Sequence, residues 1–139
     1  MNQETNPINE YGNFLQKVQK FSGLDELELF RNFAERLGKH FADAKITKTQ
    51  LRAFYDSLKE IAFKLEPAEE EALTDRKIQT MLYLFKAKAR YRSARHGRLN
   101  SFYKFIAMTV EKIKNKHDMS KFLEFFEAVY AYFYAEAKD

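Results

Sequence analysis

The sequence predicts an all-α protein, a single-domain bundle of five or six antiparallel helices joined by short loops. Apolar side chains recur at steps of three and four residues through most of the 139-residue chain, which is the spacing of one helix face. The chain contains only 4 Gly and 2 Pro, too few turn-forming residues for a sheet with many hairpins. No segment alternates apolar and polar residues for long enough to favour a strand.

The N-terminal part predicts a flexible tail followed by a first helix. Residues 1–7 are polar and are expected to form the tail, while residues 8–139 are expected to form the helical bundle domain. A helix is predicted over residues 8–21, where Phe14 and Leu15 belong to its apolar face.

Two segments have the spacing of a capping box, in which each of two side chains accepts a hydrogen bond from the other residue's backbone N–H. Asp25 with Glu28 predicts the start of a second helix, and Thr47 with Gln50 predicts the start of a third. Pro67 is expected to end the third helix and suits the first turn of the next one.

Three further helices are predicted in the second half of the chain. A long helix is expected over residues 68–96, with Gly97 as its C-cap, and two more over residues 100–115 and 118–138. The last of these has seven aromatic residues between positions 122 and 134, more than one helix face can bury. Its tyrosines are left either for the rim of the core or for a partner surface, and they are Tyr130, Tyr132 and Tyr134.

The composition argues against several classes of function. The chain has no Cys, which excludes disulfide scaffolds, thiolate metal sites and cysteine nucleophiles. His40, His96 and His117 have no second ligand at a metal-binding spacing, and no Gly-rich phosphate loop occurs. No catalytic residue, metal site or cofactor is therefore expected. Since neither a secretory signal nor a run of about 18 apolar residues is present, a cytoplasmic location without membrane contact is expected.

The positive charge of the chain is confined to one segment. Residues 76–110 contain nine Lys or Arg and no Asp or Glu. The remainder has 15 basic and 20 acidic residues, a formal net charge of −5, against +4 for the whole chain. A confined basic surface favours a polyanion as partner, most commonly nucleic acid, and the alternative is a solvated helix face.

Basic residues also form rows on the predicted helices. On the third helix, one line beside the apolar face extends for about 16 Å; its members are Lys48, Arg52, Tyr55 and Lys59. Two roles are open for Tyr55, which is placed either to stack on a base or to shield the neighbouring lysine stems.

The long helix has two basic rows, one on each side of its apolar line, and Tyr91 is adjacent to the first of them. The first row is Lys88, Arg92 and Arg95, and the second is Lys86 and Arg90. Since no zinc finger, paired RNP aromatics or Gly-x-x-Gly loop is present, we expect contact with the RNA backbone without sequence specificity. The predicted RNA-binding residues are Lys48, Arg52, Lys59, Lys86, Lys88, Arg90, Arg92, Arg95 and Arg98.

Three segments together carry a resemblance to a known family. Residues 46–55 begin a helix with Thr-Gln-Leu-Arg, and residues 84–95 contain a Lys, a Tyr three positions on and an Arg four positions further. Residues 122–134 contain Glu-Ala-Val-Tyr-Ala-Tyr. In their order and spacing, these segments resemble the small subunit of type III-A CRISPR effector complexes, the second subunit of the Csm assembly.

The resemblance implies a helical, non-catalytic subunit that acts in antiviral defence. Several copies would stack along the guide RNA and its paired target RNA, beside the backbone RNase subunit and the large polymerase-like subunit. The positions that match the family are expected to contact the RNA backbone or the interface between copies; they are Lys48, Arg52, Lys88 and Arg95.

The chain departs from the family pattern at Arg90 and Arg92, which replace small apolar residues and make this surface more basic. Two alternatives to RNA binding are a helical adaptor, whose basic face binds an acidic protein, and a metal-dependent nuclease with an unrecognised site. Self-association is also expected, as a dimer of the isolated chain, because surplus apolar helix faces favour it.

Overall fold

The computed structural model of this chain describes residues 6–65 and 71–138, without the side chains of residues 65 and 71–74. Over these ranges it has six α-helices: α1 (Pro7–Leu15), α2 (residues 26–43), α3 (Lys48–Leu65), α4 (Glu71–Arg95), α5 (Asn100–Val110) and α6 (Lys116–Glu136). Two short 3₁₀ turns, Phe21–Gly23 and Gly97–Leu99, precede α2 and α5. No strand occurs in the described ranges, so the prediction of an all-α helical bundle is confirmed.

The start of α1 is fixed by a residue that was predicted to lie in the tail. Asn6 Oδ1 accepts a hydrogen bond of 2.9 Å from Ile8 N, and Pro7 occupies the first helical position, where no N–H is needed. Residues 1–5 lie outside the described residues, so the division into a tail and one domain stays a prediction.

The end of α1 comes earlier than predicted, and the second half of the helix predicted over residues 8–21 is wrong. The chain leaves the helix after Leu15 and forms the first 3₁₀ turn at Phe21. Phe21 N donates to Lys112 O at 2.8 Å, and its ring contacts Phe122 with 5.6 Å between centroids. A continuous helix would not place Phe21 in this part of the core.

The predicted capping box at the start of α2 does not form, although Asp25 is the N-cap residue. Asp25 Oδ1 accepts a hydrogen bond of 3.1 Å from Leu27 N, as an N-cap residue does. The Glu28 carboxylate does not reach back to Asp25, because it accepts a hydrogen bond of 2.6 Å from the Asn32 side-chain amide. The reciprocal bond that the spacing predicts is therefore wrong.

A π-helical segment, Leu29–Phe33, interrupts α2 between its α-helical parts. The wider turn changes the direction of the side chains that follow it. As a result Phe30 meets Phe125 edge-on at 6.1 Å between centroids, and Phe33 stacks on Phe14 at 4.7 Å. Both aromatic rings of this segment thereby contact the core.

The capping box predicted for α3 is confirmed. Thr47 Oγ1 accepts from Gln50 N at 3.1 Å, and Gln50 Oε1 accepts from Thr47 N at 3.0 Å. Pro67, the predicted end of this helix, lies outside the described residues.

The boundaries between α4, α5 and α6 also differ in part from those predicted. Gly97 does not have the positive φ angle of a C-cap glycine, and it begins the second 3₁₀ turn. α5 ends at Val110 and not near residue 115, because Asn115 caps the next helix. The Asn115 side chain accepts a hydrogen bond of 2.8 Å from Asp118 N, and α6 begins between them.

α6 lies at the centre of the bundle, where it contacts α2, α3, α4 and the first 3₁₀ turn. Phe122 and Phe126 on its inner face are fully buried. α2 approaches α6 through Gly38, since a Cβ atom on this residue would lie 2.7 Å from both Phe133 N and Val129 O. α3 in turn packs against both α6 and α4, and these three helices position the basic rows.

Candidate nucleic-acid interface

An open cleft of about 550 Å³ lies between α3 and α4. The α4 side of this cleft contains the first predicted basic row together with an exposed tyrosine and a histidine, and α3 contributes one serine. The lining residues are Ser57, Lys88, Tyr91, Arg92, Arg95 and His96. Steps of four and three residues along α4 place the row on one side of the helix, and the structure brings all three cations to one cleft, as their spacing predicts.

Arg92 joins the two walls of the α3/α4 cleft. Its guanidinium carbon lies 5.6 Å from the ring centroid of Phe54 on α3. Phe54 is held rigidly, because its ring contacts Phe102 at 4.6 Å and Phe85 at 5.9 Å between centroids. A cation–π contact of this kind fixes the guanidinium without neutralising its charge.

Arg95 and Tyr91 form a second pair in the cleft, one helical turn apart. Arg95 Nη1 donates a hydrogen bond of 2.9 Å to the Tyr91 hydroxyl. The Tyr91 side chain is nevertheless 62% exposed, so the pair orders the ring without burying it.

The charge of the α3/α4 cleft is not neutralised from within the protein. Among the described residues, Lys88, Arg92 and Arg95 form no ion pair with a carboxylate. Arg36 shows the contrast, because two hydrogen bonds of 2.9 and 2.6 Å join it to the Glu10 carboxylate and raise its pKa. Three uncompensated cations in one cleft produce a positive potential that attracts an anion.

The basic row of α3 lies instead along the seam between α3 and α6, where tyrosines hold it. Lys48 Nζ lies 4.0 Å from the ring centroid of Tyr134. Hydrogen bonds to Tyr130 and to Asp56 raise the pKa of Arg52, and its ion pair with Asp56 measures 3.3 Å. Both rows contact aromatic rings, but among the described residues only the row on α3 includes an ion pair with a carboxylate.

Tyr55 does not serve as a base-stacking platform, one of the two roles left open by the sequence. Its half-buried ring stacks on Phe126 at 5.9 Å and 8° and on Tyr130 at 5.3 Å and 15°. Lys59 Nζ lies 5.2 Å from the same ring, so the shielding role describes its contacts. Tyr91 is more exposed than Tyr55, and its ring lies 5.7 Å from the guanidinium carbon of Arg95.

The two rows do not form one surface. Tyr55 and Ser57 are two residues apart on α3, which separates them by about 200° around the helix axis. Tyr55 packs against α6, whereas Ser57 lines the α3/α4 cleft. α3 therefore separates the two basic rows, and a single strand of RNA in the cleft would contact only the row on α4.

The remaining predicted cations lie toward α5 or stabilise a turn. The Arg90 guanidinium lies 5.6 Å from the ring centroid of Tyr103 on α5, and Lys86 Nζ lies 5.6 Å from that of Tyr83. Arg98 Nη1 donates a hydrogen bond of 3.2 Å to Lys45 O, which ties the second 3₁₀ turn to the loop before α3.

Sequence reasoning missed Ser57, which lines the cleft, and Phe54, the buried ring beneath Arg92. Ser57 had no signal of its own in the sequence, because its place in the cleft depends on which helix packs beside α3.

In the described ranges, no group of three His, Asp or Glu is placed to hold a metal ion. Nor does any described helix have the length and apolar character needed to cross a membrane.

Comparison with known proteins gives one match. The family model described as Csm2 Type III-A matches residues 24–139, which include α2 to α6 and all nine predicted cations. No curated protein and no solved structure matches the chain.

Proposed function

We propose that the α3/α4 cleft of this chain, which belongs to the Csm2 type III-A family, binds the RNA backbone. Members of this family are the small, non-catalytic subunits of type III-A CRISPR effector complexes, and they associate with the other Csm subunits. In this proposal, several copies of the protein stack along the guide RNA and its target RNA in the cytoplasm, and each copy contributes one cleft.

The observation that carries the proposal is the convergence of Lys88, Arg92 and Arg95 on one cleft, where no carboxylate of the described residues pairs with them. Arginine is suited to phosphate because its planar guanidinium donates two parallel hydrogen bonds. Contacts with phosphates do not read the base sequence, so binding by these cations is expected to be independent of sequence.

Several weak clefts in a row support tight binding even where one cleft binds weakly. When subunits are held side by side, RNA bound in one cleft reaches the next cleft intramolecularly. The overall affinity for RNA then rises although each cleft makes the same contacts. The row on α3 and the pair Lys86 and Arg90 lie outside the cleft, and we propose for them contact with a neighbouring subunit or a second RNA segment.

An assembly experiment tests the proposal. A guide-RNA-loaded Csm complex that lacks its small subunit is mixed with this protein, and co-migration is measured with and without target RNA. The variant Lys88→Glu with Arg95→Glu should lose RNA-dependent co-migration. The matched control, Lys20→Glu with Lys39→Glu, changes the net charge equally at exposed lysines outside the cleft and should assemble as the unmodified chain does.

Circular dichroism on both variants establishes that they are helical and folded. Unchanged assembly of the cleft variant, with the protein folded, contradicts the proposed role of the cleft. If that variant instead loses binding to an acidic Csm subunit and keeps its affinity for RNA, the adaptor function replaces the RNA-binding one.

A further inference from the structure

We propose that the α3/α4 cleft binds unpaired nucleotides, with one base stacked on the ring of Tyr91, and therefore prefers single-stranded to double-stranded RNA. The inference rests on the proposed RNA-binding function and adds the class of RNA to it.

The position of Tyr91 is the first argument. Its side chain is 62% exposed although it belongs to a helix whose inner residues are buried. Its exposed ring lies in the cleft that also holds Lys88 and Arg92. Of the other exposed tyrosines, Tyr83 donates a hydrogen bond of 2.7 Å to Glu111 and the Tyr134 ring receives Lys48. Tyr132 is less exposed than Tyr91, at 41%, and does not line the cleft.

The order of the Tyr91 ring is the second argument. The hydrogen bond of 2.9 Å from Arg95 Nη1 holds the hydroxyl of the ring, and the Arg95 guanidinium carbon lies 5.7 Å from the ring centroid. With 62% of the residue exposed, the ring keeps surface for stacking, and fixing it before binding lowers the entropy lost when a base is captured. Stacking on an aromatic side chain suits every base, in agreement with binding that is independent of sequence.

The arrangement of charge around the ring is the third argument. Lys88 lies one turn before Tyr91 and Arg95 one turn after it, so the two cations are separated by about 10 Å along the helix axis. Cations on both sides of an aromatic ring are placed to contact the phosphates on either side of a stacked base. In an A-form duplex the base faces are covered by their neighbours, so a duplex offers the cations its phosphates but offers Tyr91 no base.

The test compares single-stranded with duplex RNA on the full chain. Fluorescence anisotropy measures the affinity for labelled oligouridine and for a duplex of equal length at two salt concentrations. Tyr91→Leu removes the ring and should weaken single-strand binding by about 5- to 100-fold, with little change for the duplex. Tyr91→Phe keeps the ring, and its single-strand affinity should stay within a few-fold of the unmodified chain.

The outcomes separate this inference from the proposed function. If Lys88→Glu with Arg95→Glu abolishes binding but Tyr91→Leu does not weaken it, the stacking contact is wrong and backbone binding stands. Equal losses for single strand and duplex also contradict the stacking contact. If the cleft variant binds every RNA as the unmodified chain does, the proposed function itself fails.

A second measurement applies if the isolated chain binds too weakly for anisotropy. Iodouridine-labelled RNA in the assembled Csm complex is irradiated, and the cross-linked peptides of the small subunit are identified. A cross-link at Tyr91, lost in Tyr91→Leu, is expected. Cross-links only at other positions overturn the inference.

Discussion

The hydroxyl of Tyr11 lies in the aromatic core, where burial raises its pKa well above the usual value of 10. It is joined to Thr109 Oγ1 by a hydrogen bond of 2.6 Å. Because the Thr109 hydroxyl donates its own proton to Phe105 O at 2.7 Å, Tyr11 is the donor of the first bond. The three groups form a short chain in which every proton has an acceptor.

This chain of hydrogen bonds predicts an asymmetry between two substitutions. Thr109→Val leaves the buried Tyr11 hydroxyl without an acceptor and should lower the free energy of unfolding by about 1–3 kcal/mol. Tyr11→Phe removes the donor but leaves Thr109 bonded to Phe105 O, so it should cost only about 0.5–1.5 kcal/mol. Urea denaturation of both variants measures the difference, and an equal or reversed order contradicts the assigned direction of the bond.

Gly38 predicts a second effect at the scale of one residue. At an open helical site, Gly→Ala raises helix stability by about 1 kcal/mol. Gly38→Ala should instead lower the free energy of unfolding by about 1–3 kcal/mol, since its Cβ would lie 2.7 Å from backbone atoms of α6 that cannot move aside.

Gly97→Ala is the matched control for Gly38→Ala, because no atom lies within 4 Å of its added Cβ. Its stability should stay within about 0.5 kcal/mol of the unmodified chain. Thermal unfolding of the two variants side by side checks the pair. A Gly38→Ala variant as stable as the unmodified chain would show that α2 and α6 are less close than described.

At the scale of single helices, the start of α3 gives the clearest prediction. Thr47→Ala removes the side-chain acceptor for Gln50 N, which is half of the reciprocal cap, and should cost about 1 kcal/mol. Thr49→Ala, two residues on and exposed, should not lower the stability, because Ala has a higher helix propensity than Thr. Denaturant midpoints measure both variants, and a stability of Thr47→Ala equal to that of Thr49→Ala would contradict the contribution of the cap.

The success or failure of each predicted boundary has a physical reason. The Thr47 and Gln50 cap depends only on a three-residue spacing, so it could be recognised in the sequence. The end of α1 depends on where Phe21 finds its partners in α6, about a hundred positions away, and no local pattern contains that information. Asp25 caps α2, but the reciprocal bond from Glu28 does not form, because Glu28 has a competing partner in Asn32 within the π-helical segment.

The candidate RNA-binding site, like the helix boundaries, could be predicted from the sequence only in part. The row of Lys88, Arg92 and Arg95 follows from helical spacing alone, and the three residues line one cleft. The distinction between Tyr55 and Tyr91 could not be made, because both lie beside basic residues at the edge of an apolar face. The packing of α6 against α3 covers the Tyr55 ring, whereas Tyr91 on α4 remains 62% exposed.

At the scale of the whole molecule, charge is divided between the acid-free segment over residues 76–110 and a remainder with a net charge of −5. α4 contains most of that segment and forms the basic wall of the cleft. The acidic remainder should repel RNA from other surfaces, so that the polarity of the molecule orients the subunit on its ligand.

This division predicts a specific dependence on salt. If each cleft cation neutralises one phosphate, replacing Lys88, Arg92 or Arg95 by Gln should reduce the slope of log affinity against log salt by about 0.7 per substitution. Lys39→Gln removes an equal charge from α2 and should leave the slope unchanged. Titration of single-stranded RNA over a range of salt concentrations measures the slopes, and equal slopes in all four variants would contradict a localised site.

The central position of α6 has a consequence for how the protein is made in the cell. α6 is synthesised after the helices that it packs against, so α2, α3 and α4 have no complete packing surface before it. While the ribosome is still translating the earlier helices, their aromatic faces remain without this partner. The core can therefore close only when residues 116–136 have left the exit tunnel.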